Sequence, residues 1–148
     1  MTATPTAPAR VSLITLGVDD VARSTEFYLA LGWPLSPASV PGEVSFFRTS
    51  GGLLALYAAS ALAQDAGLAA APVGMFRGVS TAINCSDEAE VDAALAAAEA
   101  AGGRITRPAH RADWGGYTGY FTDPDGHAWE VAHNPGWPIG TDGRPQLP

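Results

Sequence analysis

The sequence predicts an α+β fold of two tandem βαβββ modules, and three observations carry that prediction. A strand followed by a helix and further strands begins at Val11, and the same order begins again at Val79. Landmark spacings repeat: Leu13 to Asp20 matches Ser80 to Asp87, and Phe47–Gly52–Leu56 matches Phe121–Gly126–Glu130. Each half also contains a hairpin signal, the stronger one at Asp123-Pro124-Asp125-Gly126, where proline presets φ and glycine supplies a positive φ. A repeat of this length makes each half one supersecondary unit that pairs with the other.

The elements follow in order. Val11 to Val18 is rich in apolar and β-branched residues and is expected as a buried strand. Asp20 can cap a helix through Phe27 and Tyr28 to about Leu31, stopped by Gly32 and Pro34. Val44–Arg48 and Leu53–Tyr57 are two strands joined through Thr49-Ser50-Gly51-Gly52. An Ala-rich connector, 59–78, has room for a short helix or a lid. Val79–Cys85 restarts the pattern, and Asp87 with Glu90 forms an N-terminal capping pair. The next helix places Val91, Ala94, Leu95 and Ala98 on one face and ends at Gly102-Gly103. A short strand, Arg104–Arg107, leads through a loop into the last hairpin. This gives module 11–58 and module 79–135 in one domain, with a disordered tail at 1–10 and a Pro- and Gly-rich tail at 136–148.

Composition narrows the function. The chain has 148 residues and a net charge of −7, which argues against nucleic acid or an anionic membrane surface as partner. Every basic residue is Arg, a usage that fits GC-rich bacterial coding. The single Cys85 excludes an internal disulfide and a multi-cysteine metal site, so a reducing cytoplasm is the expected compartment. No run approaches the length of a membrane helix, and Met1–Ala9 lacks the features of a secretory signal. No nucleophile elbow, catalytic triad or phosphate-cradling glycine loop is present.

Two segments carry a family resemblance. The first is Leu16-Gly17-Val18-Asp19-Asp20-Val21-Ala22-Arg23-Ser24-Thr25-Glu26-Phe27-Tyr28 with Ala30-Leu31-Gly32-Trp33 after it. The second is Gly119-Tyr120-Phe121-Thr122-Asp123-Pro124-Asp125-Gly126-His127-Ala128-Trp129-Glu130-Val131. In this order they resemble the vicinal oxygen chelate superfamily, which includes glyoxalase I, extradiol dioxygenases, fosfomycin-resistance proteins and bleomycin-binding proteins. The resemblance covers roughly Val11 to Pro135. It implies that the two modules form a curved mixed-sheet cup around a small ligand, and that the protein is a homodimer, the cup in some members being built from two chains.

In metal-using members of that family, four positions on the first and last strands of each module converge on one divalent cation. The resemblance puts them at Leu13, Leu56, Ser80 and Glu130, of which only Glu130 is a first-rank donor. No cofactor is therefore expected, and a divalent metal would be weakly held by Glu130 unless His110 reached inward. By strand alternation His127 and His133 face away from Glu130. The expected site is an apolar cup with one acid, in which Leu13 and Leu56 flank Glu130. Desolvation there would raise the carboxyl pKa and suit it to general acid–base work. The alternative is a carboxylate held by a hydroxyl, Arg or backbone N–H for structural reasons.

Further candidate lining residues are Phe47, Ser80, Trp114, Tyr117 and Phe121. In an unbulged hairpin with a four-residue turn, Gly119 pairs with Glu130, which sets Tyr117 and Phe121 on the face of that acid. Trp114, with Gly115-Gly116 behind it, can close over a flat ligand or cover the core. Arg48 and Arg111 can meet an anionic ligand or stand in solvent. Two functions follow: a metal-independent protein that sequesters an apolar or aromatic molecule, as bleomycin-resistance proteins do, or a glyoxalase-like lyase, isomerase or dioxygenase-related enzyme using Glu130.

Overall fold

The computed structural model describes residues 3–72 and 74–148. The first two residues of the 1–10 tail and one residue of the 59–78 connector lie outside the described residues. In chain order the elements are β1 (Leu13–Val18), α1 (Val21–Ala30), β2 (Val44–Thr49), β3 (Gly52–Ala58), α2 (Ala59–Ala66), β4 (Ser80–Asn84), α3 (Glu88–Ala100), β5 (Arg104–Arg111), β6 (Tyr117–Thr122) and β7 (Ala128–His133). No helix among the described residues is long and apolar enough to cross a membrane.

Two mixed sheets result, ordered β1-β3-β2 and β4-β7-β6-β5. In each the first strand runs parallel to the last strand of its own module, β1 with β3 and β4 with β7. The second module is a complete βαβββ unit. The first lacks one strand, because Pro34-Leu35-Ser36-Pro37 makes only the isolated bridge Leu35–Phe47 beside β2. Two prolines in four residues remove the donors that a ladder needs. Ser36 N–H still donates to Phe46 O at 2.7 Å, so the segment tracks the missing strand without becoming one.

The helix ends follow the sequence signals. Asp20 accepts from Arg23 N–H at 3.1 Å, and Asp87 accepts from Glu90 N–H at 2.8 Å. Glu90 returns its carboxylate to Ser86 N–H, which completes a reciprocal cap. The connector holds α2, and the expected strand at Arg104–Arg107 extends to Arg111 through two register shifts.

One core joins the modules. On α1, Tyr28 meets Phe47 of the first sheet at 5.8 Å and Trp129 of the second at 6.0 Å. Phe27 lies 6.3 Å from Phe121, and Phe121 stacks on Trp129 at 6.1 Å. Val91 and Leu95 of α3 complete the cluster. Because α1 touches both sheets, the two apolar faces turn toward one helical layer. Phe47, Leu56 and Phe121 belong to this core, buried to 0–1% exposure. They therefore support the sheets from behind and do not line an open surface.

Candidate functional site

Each sheet has a second face, turned away from the shared core, and strand pairing shows what it carries. In the second sheet Tyr120 pairs with Glu130, and Glu130 pairs with Ala82, so these three stand in one cross-strand row. Arg107 pairs with Tyr120 and extends the row to β5. The neighbouring rows are Thr122–Ala128–Ser80 and His110–Thr118–Ala132–Asn84. Around Glu130 the floor is thus mostly Ala, Ser and Thr, with Thr118 and Ala132 buried and Ser80 exposed.

This register differs from the sequence expectation by one residue. Thr122 pairs with Ala128, so the hairpin loop is the five-residue stretch Asp123 to His127. With the longer loop, Tyr120 and not Gly119 faces Glu130. Tyr117, Gly119 and Phe121 lie on the opposite, helix-facing side, where Tyr117 Oη donates to Asp92 of α3 at 2.7 Å. The first hairpin is shorter, since Thr49 pairs with Gly52. Phe47 pairs with Leu54 as Phe121 pairs with Trp129, which makes Ala55 the counterpart of Glu130. Leu56 is on the core face, three residues beyond Leu53, the partner of Leu13. Leu13 and Leu56 consequently do not flank Glu130.

Glu130 is half-buried, and Tyr120 Oη donates to its Oε2 in a close hydrogen bond. That bond, reinforced by partial burial, raises the Tyr120 phenol above its ordinary value. One carboxylate oxygen is thereby engaged. Tyr120 was the residue that sequence reasoning missed. The alternation of Phe121, Trp129 and Val131 as buried positions was the signal that could have found it.

The remaining candidates separate. Ser80 is exposed on the Glu130 face, one row away. His110 shares that face through its pairing with Thr118, while its Nδ1 approaches Pro108 O at 3.2 Å. Trp114 is half-exposed and lies across Gly116, where a Cβ would collide with its ring. Arg111 is tied to Glu88 at 2.7 Å. Cys85 is buried, and burial pushes its thiol up to about 11, so it stays protonated. The outward face of the first sheet carries Arg48, Leu53 and Leu13 in a row, with both leucines more than 40% exposed.

The metal positions implied by family resemblance become Leu13, Ala55, Ser80 and Glu130. One carboxylate and one hydroxyl among two hydrocarbon side chains do not make a divalent-cation site. No group of three or more His, Cys, Asp or Glu is placed to hold a metal among the described residues. The donor set does not fit a metal.

The conspicuous Asp123-Pro124-Asp125-Gly126 turn is a joint between modules. Asp123 Oδ2 accepts from Tyr28 Oη at 2.7 Å, and that hydroxyl accepts from Trp129 Nε1–H at 3.1 Å. Asp125 Oδ1 accepts from Asp19 N–H at 2.8 Å and lies 3.5 Å from the Arg23 guanidinium. His127 Nε2 is 2.8 Å from Gly17 O and its Nδ1 is 2.7 Å from Arg77. This pattern suits the neutral Nε2–H tautomer, donating to Gly17 and accepting from Arg77.

Between the sheets, at their free β1 and β4 edges, runs an open groove of about 780 Å³. Its inner wall is apolar, with Ile14, Trp33, Leu54, Ile83 and Trp129. The C-terminal segment closes one end: Ile139 bridges to Pro145, and Arg144 Nε donates to Ser50 O at 2.9 Å.

Comparison with known proteins places the chain. The family model for the Glyoxalase/Bleomycin resistance protein/Dioxygenase superfamily matches residues 10–131. A solved glyoxalase-related enzyme from Fulvimarina pelagi is similar at 38% identity and a TM-score of 0.84, over 95% of this chain and 99% of that one. A glyoxalase/bleomycin resistance protein/dioxygenase from Nocardioides is similar at 29% identity and a TM-score of 0.73, over 93% and 91%. A lactoylglutathione lyase from Agrobacterium tumefaciens is similar at 25% identity and a TM-score of 0.67, over 86% and 96%. No match was found among curated proteins.

Proposed function

The chain belongs to the Glyoxalase/Bleomycin resistance protein/Dioxygenase superfamily, and on that premise we propose that it binds a small apolar or aromatic molecule, without a resident metal, in a cup made by two copies of the chain. The observation that carries this reading is the direction of the sheets. Both spend their apolar sides on one internal core, which leaves the face bearing Glu130 and the face bearing Leu13 outside it. Among the described residues strands β1 and β4 each keep one edge without a strand partner. A second copy that sets its β1 beside β4 satisfies those edges. It also brings the apolar Leu13–Leu53 face over the small-residue floor around Glu130. Sequestration in the manner of a bleomycin-resistance protein needs no more than such a cup.

The test is a fluorescence titration with N-phenyl-1-naphthylamine, a neutral aromatic probe, alongside sedimentation equilibrium. Wild-type protein is expected to be a dimer and to bind saturably. Leu13→Glu, which puts a charge on the seam, is expected to give monomers with binding weakened about tenfold or more. Unaltered probe binding by a Leu13→Glu monomer would place the site elsewhere.

A second reading is favoured by one feature, the hydrogen bond from Tyr120 that holds one carboxylate oxygen of the half-buried Glu130. A carboxylate positioned by one oxygen can take a proton at the other, which is the requirement of a lyase or isomerase working without metal. Glu130→Gln separates the readings: it leaves affinity within a few-fold for a binder and abolishes any demonstrated turnover for an enzyme.

A further inference from the structure

We infer that the ligand is an amphipathic monocarboxylate and that Arg48 is the residue that selects it; this rests on the two-chain cup proposed above and specifies its occupant. Arg48 is paired with Leu53, and Leu53 with Leu13, so one cross-strand row reads cation, apolar, apolar. The row crosses two strand spacings, roughly 10 Å from end to end. A carboxylate at Arg48 therefore leaves a medium-length hydrocarbon or aryl-alkyl body lying over Leu53 and Leu13. Both leucines are exposed, at 42% and 44%, and covering them removes apolar surface from water.

Arg48 is available for this role. Four arginines are engaged within the chain, Arg23 with Asp125, Arg77 with His127, Arg111 with Glu88 and Arg144 with Ser50 O, and of the other four, Arg10, Arg48, Arg104 and Arg107, only Arg48 is among the described residues that line the inter-sheet groove. Arg48 has no side-chain hydrogen bond or ion pair among the described residues, in a chain carrying 15 acidic and 8 basic residues. The Arg48–Leu53–Leu13 row borders the mouth of the inter-sheet groove. A guanidinium presents paired N–H donors in the fork geometry that a carboxylate accepts, and an apolar rim beside it raises the strength of that contact.

The experiment is calorimetric titration of the full chain with octanoate, octanol and octylamine, three probes of one length that differ in head charge. Octanoate is expected to bind about tenfold or more tighter than octanol, with octylamine weakest. Arg48→Gln should remove the octanoate advantage while leaving octanol unchanged, and Arg48→Lys should keep it within a few-fold. Equal binding of octanoate and octanol by the wild type would overturn the carboxylate assignment and leave the apolar-ligand reading standing. Retention of the octanoate advantage in Arg48→Gln would overturn the role of Arg48. Failure of all three probes to bind would overturn both this inference and the cup on which it rests.

Discussion

Among the described residues Tyr120 and Glu130 form the one acid–phenol pair on an outward sheet face, and their bond has a direct spectroscopic consequence. Ionisation removes the O–H that the phenol donates and sets a phenolate against a carboxylate, which repels it. Its titration is therefore displaced upward, chiefly by the Glu130 hydrogen bond. Glu130→Gln removes the negative charge while keeping the shape. In an ultraviolet titration at alkaline pH, one tyrosine of the variant is expected to ionise at lower pH than in the wild type, back toward 10. An unchanged curve would mean that the two side chains do not meet in solution. The pair also shows where residue-level reading succeeded and failed. A lone carboxylate between Trp129 and Val131 marked Glu130 directly. Its neighbour stayed hidden because the neighbour depends on loop length, and Asp-Pro-Asp-Gly is compatible with either a four- or a five-residue loop.

The same loop decided the comparison between modules at the level of elements. Counting from glycine to glycine aligned Leu56 with Glu130, whereas strand pairing aligns Ala55 with it. A shift of one residue moves a side chain to the other face of a strand, which is why Leu56 left the site and entered the core. Elements themselves were legible: Asp20 and Asp87 cap the helices expected of them, and the connector contains a short helix. The missing strand at Pro34–Pro37 was not foreseen, since two full βαβββ modules were expected; two prolines in four residues withhold the donors that a ladder needs. Gly119 tests the element packing of the second module. A Cβ there would sit 2.7 Å from Leu95 Cδ1 and 3.1 Å from both Ala109 N and Arg107 O. Leu95 can shift, but the backbone of β5 cannot follow without breaking its own pairing. Gly119→Ala is expected to cost about 1–3 kcal/mol, read as a lower urea midpoint with an unchanged slope. A neutral or stabilising result would show that β5 stands farther from β6 than its pairing implies.

For the whole molecule, the question is what makes two modules one folding unit, and the Asp123 joint gives an answer that pH can probe. Asp123 is 3% exposed, and burial pushes its carboxyl above the ordinary 3.8 even though Tyr28 and the His127 N–H donate to it. A carboxyl whose pKa is raised in the folded state binds its proton more tightly there than in the unfolded chain. Its stabilising contribution is complete below the ordinary value and is lost as pH rises through the raised one. The other carboxylates impose their own pH dependence, so the comparison must be with Asp123→Asn and not with the wild type alone. Asparagine keeps one oxygen for the N–H groups of Asp125 and His127, and its amide can donate to Tyr28. Urea unfolding at fixed chain concentration, from pH 4 to 8, is expected to show the variant at its greatest disadvantage at the acid end. That disadvantage should shrink as pH rises, because only the wild type then carries an unneutralised buried charge at the joint. A disadvantage that instead grows with pH would mean that Asp123 is held as a hydrogen-bonded carboxylate, with Tyr28, His127 and the backbone donors outweighing burial. In either case both modules should melt in one transition, since the aromatic side chains that meet around Tyr28 belong to both sheets.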